Sequence, residues 1–191
     1  MPKPYTPNDA WSKKAREEGY RARSIYKLRE IDEKFHILAP GQTVIDLGAA
    51  PGSWLQYASE KAIGGRIIGL DLSSIEPIEG VETFVANITD REAVEKIIPS
   101  AVDVVLSDLA PATSGTWDVD QWRSIELSEA VVAIAEKHLR PKGWCILKVF
   151  RGEDFDPFVK KLRVAWPFLK IVQAEASRDR SKEIYVVLRK R

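Results

Sequence analysis

The chain has 191 residues, of which 45% are hydrophobic and 30% are charged, and its formal net charge is +1. This length is enough to bury a real core, and the composition is typical of a globular protein rather than a disordered or fibrous one. A near-neutral charge argues against a general polyanion binder, and no apolar run approaches the ~18 residues of a membrane span. We therefore expect a single domain over residues 1–191 without a membrane partner.

Cysteine and histidine are too scarce to indicate a metal centre. The single cysteine, Cys145, excludes an internal disulfide and a cysteine-built metal site. His36 and His138 are too far apart in sequence to form a metal motif, so we expect no metal. Residues 1–20 are polar and charged, unlike a secretory signal, which predicts a cytoplasmic protein.

Basic residues are concentrated at the two ends of the chain. Residues 1–30 contain eight Lys/Arg against four Asp/Glu, and residues 178–191 contain six against two. Two basic ends around a neutral middle predict a localised RNA-binding patch. The simpler alternative is that both ends are merely solvated.

The first predicted elements are two helices within residues 8–35, divided near Gly19-Tyr20. Apolar residues recur every three or four positions in the second helix and give it one buried stripe. Lys27 lies on another face, where its spacing to Glu30 is that of a solvent-exposed i,i+3 pair.

After the Pro40-Gly41 turn, strands and helices alternate, with a further turn expected at residues 141–143. The predicted strands cover residues 43–47, 66–71, 82–86, 102–108, 144–150, 168–174 and 183–188. The last two could form an antiparallel pair. Alternating elements predict an α/β fold, a doubly wound and mostly parallel sheet with helices on both faces.

A glycine loop, Gly48-Ala49-Ala50-Pro51-Gly52, follows the acidic end of the first predicted strand and precedes a helix. Such loops accept nucleotide-like ligands in parallel α/β sheets. The pattern lacks the middle glycine of a dinucleotide fingerprint and the Gly-Lys-Ser/Thr of a phosphate-binding loop. A ligand without phosphate, such as S-adenosylmethionine (SAM), suits it better.

Polar side chains end the next three strands. Asp71 comes about twenty residues after the glycine loop, where nucleotide-binding folds place an acid for ribose hydroxyls. Asn87 and Asp108 would lie at the same carboxyl edge of the sheet. A turn or helix-cap role is a strong alternative for Asn87. For Asp71 and Asp108, the repeated placement favours ligand binding.

Lys148 interrupts the otherwise apolar fifth strand. An ammonium group is costly to bury, so a lysine there needs a partner or a function. The alternative is a lysine at the mouth of the strand with its amine in water. Lys148 would share the carboxyl edge with Asp108, where it could help to take a proton from an alcohol.

Taken together, the motifs resemble those of the FtsJ-like (RlmE-type) ribosomal RNA 2'-O-ribose methyltransferases over nearly the full length. The matching segments are Arg23-Ser24-Ile25-Tyr26-Lys27-Leu28, Asp46-Leu47-Gly48-Ala49-Ala50-Pro51-Gly52-Ser53-Trp54, Ser107-Asp108-Leu109-Ala110-Pro111, Leu147-Lys148-Val149-Phe150 and Ser181-Lys182-Glu183-Ile184-Tyr185. The ordered set is specific, whereas no single segment is.

The resemblance implies a Rossmann-like SAM-dependent methyltransferase fold with a seven-stranded sheet and an antiparallel edge strand. It implies a catalytic tetrad, so that Lys27 belongs to the site rather than to a pair with Glu30. The tetrad is Lys27, Asp108, Lys148 and Glu183. The implied SAM ligands are Gly48, Gly52, Trp54, Asp71, Asn87 and Asp108. The family commonly has aspartate where this chain has Asn87, whose neutral amide can still offer an acceptor to adenine.

The implied reaction is methylation of a ribose 2'-hydroxyl, in a uridine of large-subunit (23S) ribosomal RNA, either free or within the subunit. We expect residues 1–35 and the loop from Arg178 to Lys182 to bind the RNA. Three alternatives remain: the same chemistry on the anticodon loop of transfer RNA, a small-molecule SAM methyltransferase, and a non-catalytic RNA-binding module. The short chain favours ribosomal RNA, and the four tetrad residues argue against the module.

Overall fold

The computed structural model describes residues 10–111, 114–177 and 182–191. The helices in these ranges are α1 (Ala10–Glu17), α2 (Ile25–Phe35), α3 (Ser53–Lys61), α4 (Arg91–Ile97), α5 (Trp117–His138) and α6 (Phe155–Ala165). The strands are β1 (Thr43–Leu47), β2 (Arg66–Asp71), β3 (Val81–Val85), β4 (Val102–Ser107), β5 (Leu139–Phe150), β6 (Phe168–Val172) and β7 (Glu183–Arg189).

The strands form one sheet in the order β3-β2-β1-β4-β5-β7-β6. Every pairing from β3 to β5 is parallel, and β7 is antiparallel to both of its neighbours. The predicted mostly parallel, seven-stranded α/β sheet is therefore confirmed. The antiparallel strand lies second from the edge rather than at the edge, because β7 returns from β6 and inserts between β6 and β5.

Two local features differ from the sequence-based expectation. The expected turn at residues 141–143 is a bulge inside β5, because Leu139 pairs with Val102 and Trp144 already pairs with Val104. The polar residues of 112–120 predict a loop before the long helix, but α5 already begins at Trp117. Acidic residues in a first helical turn favour the helix N-terminus, and Asp120 also accepts a hydrogen bond from the backbone N–H of Ser114 at 2.7 Å. Residues 112 and 113 lie outside the described ranges.

Helices cover both faces of the sheet. The core on one face contains α1, α2 and α3, and the core on the other contains α4, α5 and α6. Alternate residues of a strand point to opposite faces, so Lys148 and Tyr185 share the first face while Leu147 and Ile184 face the second. Within the described ranges, no helix is long and apolar enough to cross a membrane.

Candidate active site

The four residues of the expected tetrad meet at the carboxyl edge of the sheet. Lys27 in α2 donates a hydrogen bond from Nζ to Oε2 of Glu183 at 2.8 Å, although 156 positions separate them in the chain. Lys148 in β5 lies with Nζ 3.8 Å from the other carboxylate oxygen of Glu183. The same Nζ lies 3.1 Å from Oδ1 of Asp108. Glu183 therefore bridges two lysines, and Lys148 bridges two carboxylates.

Both lysines are buried, with exposed fractions of 6% for Lys27 and 7% for Lys148. A buried ammonium is stable only with charged or hydrogen-bonding partners. Lys148 has such partners, because its Nζ also donates to the main-chain oxygen of Asp108 at 2.6 Å. The alternative of a lysine with its amine in water does not describe Lys148.

Tyr185 is a site residue that the sequence-based argument missed. It pairs with Lys148 across β5 and β7, and its hydroxyl donates to Oδ1 of Asp108 at 2.6 Å. Burial and the nearby negative charge of Asp108 hold the pKa of Tyr185 well above its usual range, so the hydroxyl stays a donor. The sequence did contain a signal for Tyr185. It lies two positions after Glu183 in a strand, so the two side chains point to the same face of the sheet.

Lys27 reaches the site because α2 is fixed on α3. The indole N–H of Trp54 donates to the carbonyl oxygen of Ser24 at 2.8 Å, and the hydroxyl of Tyr57 donates to Asp32 at 3.0 Å. Glu30 does not pair with Lys27; instead it accepts the backbone N–H of Glu175 at 2.8 Å. The local i,i+3 pair is therefore absent, and Lys27 is free to turn towards Glu183.

A cavity of about 780 Å³ opens at the same edge of the sheet. This volume is within the usual range for small-molecule sites. Gly48, Asp71 and Asn87 are three of its lining residues, and Leu109 after β4 and Arg123 of α5 also line it. Gly48 has a φ of 79°, which favours glycine, and a side chain there would also displace Leu109.

The polar groups at the strand ends also build the walls of this cavity. Asp71 accepts the backbone N–H groups of Ala50 at 3.0 Å and Ser73 at 2.8 Å, so it braces the glycine loop. Oδ1 of Asn87 accepts both the backbone N–H and the hydroxyl of Thr89 at 3.0 and 2.9 Å. The turn role expected as the alternative for Asn87 is thus present, and its Oδ1 is already engaged.

The remaining expected ligand positions, Gly52 and Trp54, lie at the start of α3. Gly52 has a φ of 105°, which favours glycine, and it caps the helix. The Trp54 side chain is buried and hydrogen-bonded to α2, so only its backbone could contact a ligand.

Arg21 fixes the glycine loop from outside. Its guanidinium donates to the carbonyl oxygens of Pro51 at 3.0 Å, Glu76 at 2.7 Å and Pro77 at 2.9 Å. It thereby ties the loop to the segment between β2 and β3. No sequence pattern distinguishes Arg21 from the other basic residues near the N-terminus, which we had assigned to RNA binding.

Asp46, the acid at the end of β1, is 1% exposed. Neither of its carboxyl oxygens has a hydrogen-bond partner within the described residues. Burial, followed by the charges of Asp108 and Asp71, holds its pKa well above its usual range. Three carboxyl groups therefore converge at the ends of β1, β2 and β4. Among the residues that the structure describes, no histidine, cysteine or acidic cluster has the arrangement of a metal site.

Comparisons with known proteins identify relatives over nearly the whole chain. The family model for FtsJ-like methyltransferases matches residues 20–191. The ribosomal RNA large subunit methyltransferase E of Methanothrix thermoacetophila is 48% identical over 95% of this chain and 72% of that protein. The protein of that name from an Azoarcus species is 43% identical, over 94% and 90%.

Solved structures give the same relationship. A crystal structure from Plasmodium falciparum, of a protein provisionally named a ribosomal RNA methyltransferase, superposes with a TM-score of 0.78 at 26% identity. The superposition covers 90% of this chain and 98% of the other. The expected Rossmann-like fold and the resemblance drawn from the motifs are both confirmed: the chain belongs to the FtsJ-like methyltransferase family.

Proposed function

We propose that this chain transfers a methyl group from SAM to the 2'-hydroxyl of a uridine ribose in large-subunit ribosomal RNA. The observation that carries the proposal is the buried Lys148 ammonium between Asp108 and Glu183, beside the cavity at the carboxyl edge. The relatives named ribosomal RNA large subunit methyltransferase E support the substrate class.

The acidic residues at the strand ends fit SAM: Asp71 lines the cavity, and Asp46 and Asp108 lie at the ends of the neighbouring strands. Asp46 is buried with unpartnered oxygens, and Asp71 and Asp108 lie close enough to raise its pKa. Three converging carboxyl groups favour a cation, and SAM carries an ammonium and a sulfonium but no phosphate. The absence of a phosphate-binding motif in the glycine loop agrees with such a ligand.

The proposed SAM ligands divide into backbone and side-chain contacts. Gly48, Gly52 and the backbone of Trp54 would let the ligand approach the loop and the first turn of α3. Asp71 would accept the ribose hydroxyls, because each carboxylate oxygen retains a lone pair beyond its bond to the loop. Asn87 would contact the adenine mainly through its amide NH₂, since its Oδ1 already accepts two bonds from Thr89.

The proposed catalytic residues must align the ribose oxygen and manage one proton. Bound SAM supplies an electrophilic methyl group. Lys148 would hold the 2'-hydroxyl at near-attack distance, ~3–3.5 Å from the methyl carbon. It would either orient the hydroxyl or, once its amine has lost a proton to solvent, accept the hydroxyl proton and return to the ammonium that Asp108 and Glu183 stabilise. Asp108 would orient Lys148 and the methionine end of SAM, while Lys27 and Glu183 would keep Lys148 and the ribose in register.

The whole chain, residues 1–191, would act as one methyltransferase domain. Within it, α1 and α2 would contribute to RNA binding, together with the loop from Arg178 to Lys182. Residues 1–9 and 178–181 lie outside the described ranges. A ribosomal RNA substrate would place the enzyme in the cytoplasm, where ribosomes assemble.

Isotopically labelled SAM provides the test. The purified protein is incubated with unmodified large-subunit ribosomal RNA, free and within subunits, and with unmodified transfer RNA. We expect label in one 2'-O-methylated uridine of the large-subunit RNA, resistant to alkaline hydrolysis at that linkage. Label on a base would refute ribose chemistry, and label confined to the transfer RNA anticodon loop would refute the ribosomal substrate.

A further inference from the structure

A pair of aromatic rings, one exposed and one half-buried, lies close to the tetrad. Trp117, the first residue of α5, stacks on Phe150, the last residue of β5, with ring centroids 5.5 Å apart and an interplanar angle of 30°. Trp117 remains 37% exposed. Both rings are described by the structure, and neither is part of its two apolar cores. Core packing therefore does not account for the pair.

The ring pair is next to the residues that would hold the ribose. Phe150 follows Lys148 by two positions, so the two side chains leave β5 on the same face. Phe150 also pairs directly with Glu183 across β5 and β7. A Cα separation of about 7 Å between alternate strand residues is comparable to the span from a ribose to its base.

Neighbouring residues fix the positions of the two rings. Asp120 anchors the start of α5 through its bond to the backbone N–H of Ser114, which lowers the pKa of Asp120. The hydroxyl of Ser124 accepts the backbone N–H of Phe150 at 3.0 Å. A side chain at Gly152 would collide with Gln121, so this glycine lets α5 approach the end of β5.

A cation also lies over the Trp117 ring. Nζ of Lys182 lies 4.3 Å from the centroid of Trp117, and Lys182 precedes Glu183 of the tetrad. A π-face and an ammonium match the two ends of a nucleotide, whose base stacks on aromatic rings and whose phosphate attracts lysine. Lys182 could exchange the ring for a phosphate when a base arrives.

We propose that Trp117, backed by Phe150, is the stacking platform for the base of the nucleotide that is methylated. This inference rests on the proposed function. It requires the target base to be unstacked from its RNA neighbours, as is usual for sequence-specific RNA recognition.

Three variants test the platform on unmodified large-subunit ribosomal RNA. Trp117→Leu should raise the KM for RNA or lower kcat/KM by about 5- to 150-fold, the range for losing one stacked base, with an unchanged Kd for SAM. Trp117→Phe keeps an aromatic face and should stay within severalfold of the wild type. Trp122→Leu is the matched control, because Trp122 is 53% exposed on the same helix but about 140° around it.

A crosslinking experiment covers the case in which Trp117→Leu does not fold. The photoreactive residue p-benzoylphenylalanine replaces Trp117 or Trp122, and reverse-transcription stops locate the crosslinks on the RNA. Position 117 should crosslink at the methylated nucleotide, and position 122 should not. If the wild type transfers no methyl group to RNA, the proposed function fails. If it does, but Trp117→Leu matches Trp122→Leu or the crosslink maps elsewhere, the platform alone is refuted.

Discussion

Lys148 is held by two oxygens of one residue. Its Nζ lies 2.6 Å from the main-chain oxygen of Asp108 and 3.1 Å from the side-chain Oδ1. The main-chain contact fixes the lysine to the end of β4, while the carboxylate contact gives it a charged partner. Since Asp108 directly follows β4, the strand that pairs with β1 before the glycine loop, this contact joins the proposed catalytic lysine to the part of the site where the cavity opens.

Replacing Lys148 should separate chemistry from ligand binding. Lys148→Ala should lower kcat by at least about 10²-fold, the usual contribution of acid–base catalysis, and leave the Kd for SAM within severalfold. Lys148→Arg keeps a permanent positive charge, so it should also be inactive if Lys148 accepts a proton. Lys170→Ala, an exposed lysine of β6, is the control. Near-wild-type turnover of Lys148→Ala in single-turnover assays would refute its role.

Tyr185 should act as a positioning residue through Asp108. Tyr185→Phe removes one hydrogen bond to a charged group, worth about 1.5–3 kcal/mol, and should lower kcat by about 10- to 100-fold with little change in the KM for SAM. Tyr20→Phe is a matched control, because the buried Tyr20 hydroxyl also donates to a carboxylate, that of Glu60 at 2.7 Å, and this bond holds no residue of the tetrad. Equal activity losses per folded molecule in both variants would indicate a purely structural effect.

We expect the Asp46 carboxyl group to destabilise the ligand-free protein and to strengthen the binding of a cationic ligand. The pKa of the Asp46 carboxyl group is higher in the folded protein than in the unfolded one. Its contribution to the free energy of unfolding is therefore complete below the unfolded pKa of about 3.9 and is lost as the pH rises. Asp46→Asn should therefore raise the ligand-free Tm at pH 8, by about 2–4 °C for each kcal/mol of stability regained in a chain of this length, and less at pH 4.

The same variant should respond less to SAM, because it lacks the proposed partner for a cationic ligand. Thermal unfolding with and without SAM measures both effects. An equal SAM-induced rise in Tm for the wild type and Asp46→Asn would contradict the ligand role. A lower ligand-free Tm for Asp46→Asn at pH 8 would show that the carboxyl group is satisfied in the folded protein.

The sequence was sufficient to predict the sheet and the edge at which the site lies, because strand periodicity and the glycine loop are local signals. Lys148 could be recognised as unusual because a single charge in an apolar strand needs a cause. The tetrad itself came from the family resemblance. Lys27 shows why, since its local spacing favours Glu30 and its actual partner is 156 residues away.

The contacts that the sequence did not predict depend on strand register and on how the helices pack, and no local sequence pattern encodes either. The Tyr185–Asp108 bond exists because β7 inserts beside β5 in a register that pairs Tyr185 with Lys148. Arg21 lies in a basic segment, where composition predicts RNA contacts, but the close approach of α3 places it against the glycine loop. Charge alone does not distinguish these uses of an arginine.

Arg21 should therefore affect SAM binding more than RNA binding. Arg21→Ala removes three hydrogen bonds to carbonyl oxygens and should raise the KM for SAM by about 10-fold or more, as expected for charged donors. Arg21→Lys should recover only part of the SAM affinity. An ammonium keeps the positive charge, but it lacks the planar set of donors of a guanidinium. If Arg21 instead contacts RNA phosphates, SAM affinity will stay constant and the salt dependence of RNA binding will fall.

The lysines of α1 should contribute to the salt dependence of RNA binding. Lys13 and Lys14 have side-chain exposures of 74% and 53%, and α1 packs against the α2 residue Tyr26, next to Lys27. Each phosphate contact contributes about 0.7–0.9 to the slope of log K against log salt. The double variant Lys13→Gln/Lys14→Gln should thus reduce the slope for large-subunit ribosomal RNA by about 1.4–1.8.

The matched control for this measurement is Lys160→Gln/Lys161→Gln, an adjacent exposed pair on α6, which covers the opposite face of the sheet. This variant makes the same change in net charge, so a long-range effect of charge would lower both slopes equally. If α1 contacts phosphates locally, only the slope of Lys13→Gln/Lys14→Gln will fall. A slope that is unchanged in Lys13→Gln/Lys14→Gln would remove α1 from the RNA-binding surface, leaving α2 and the C-terminal basic segment to provide it.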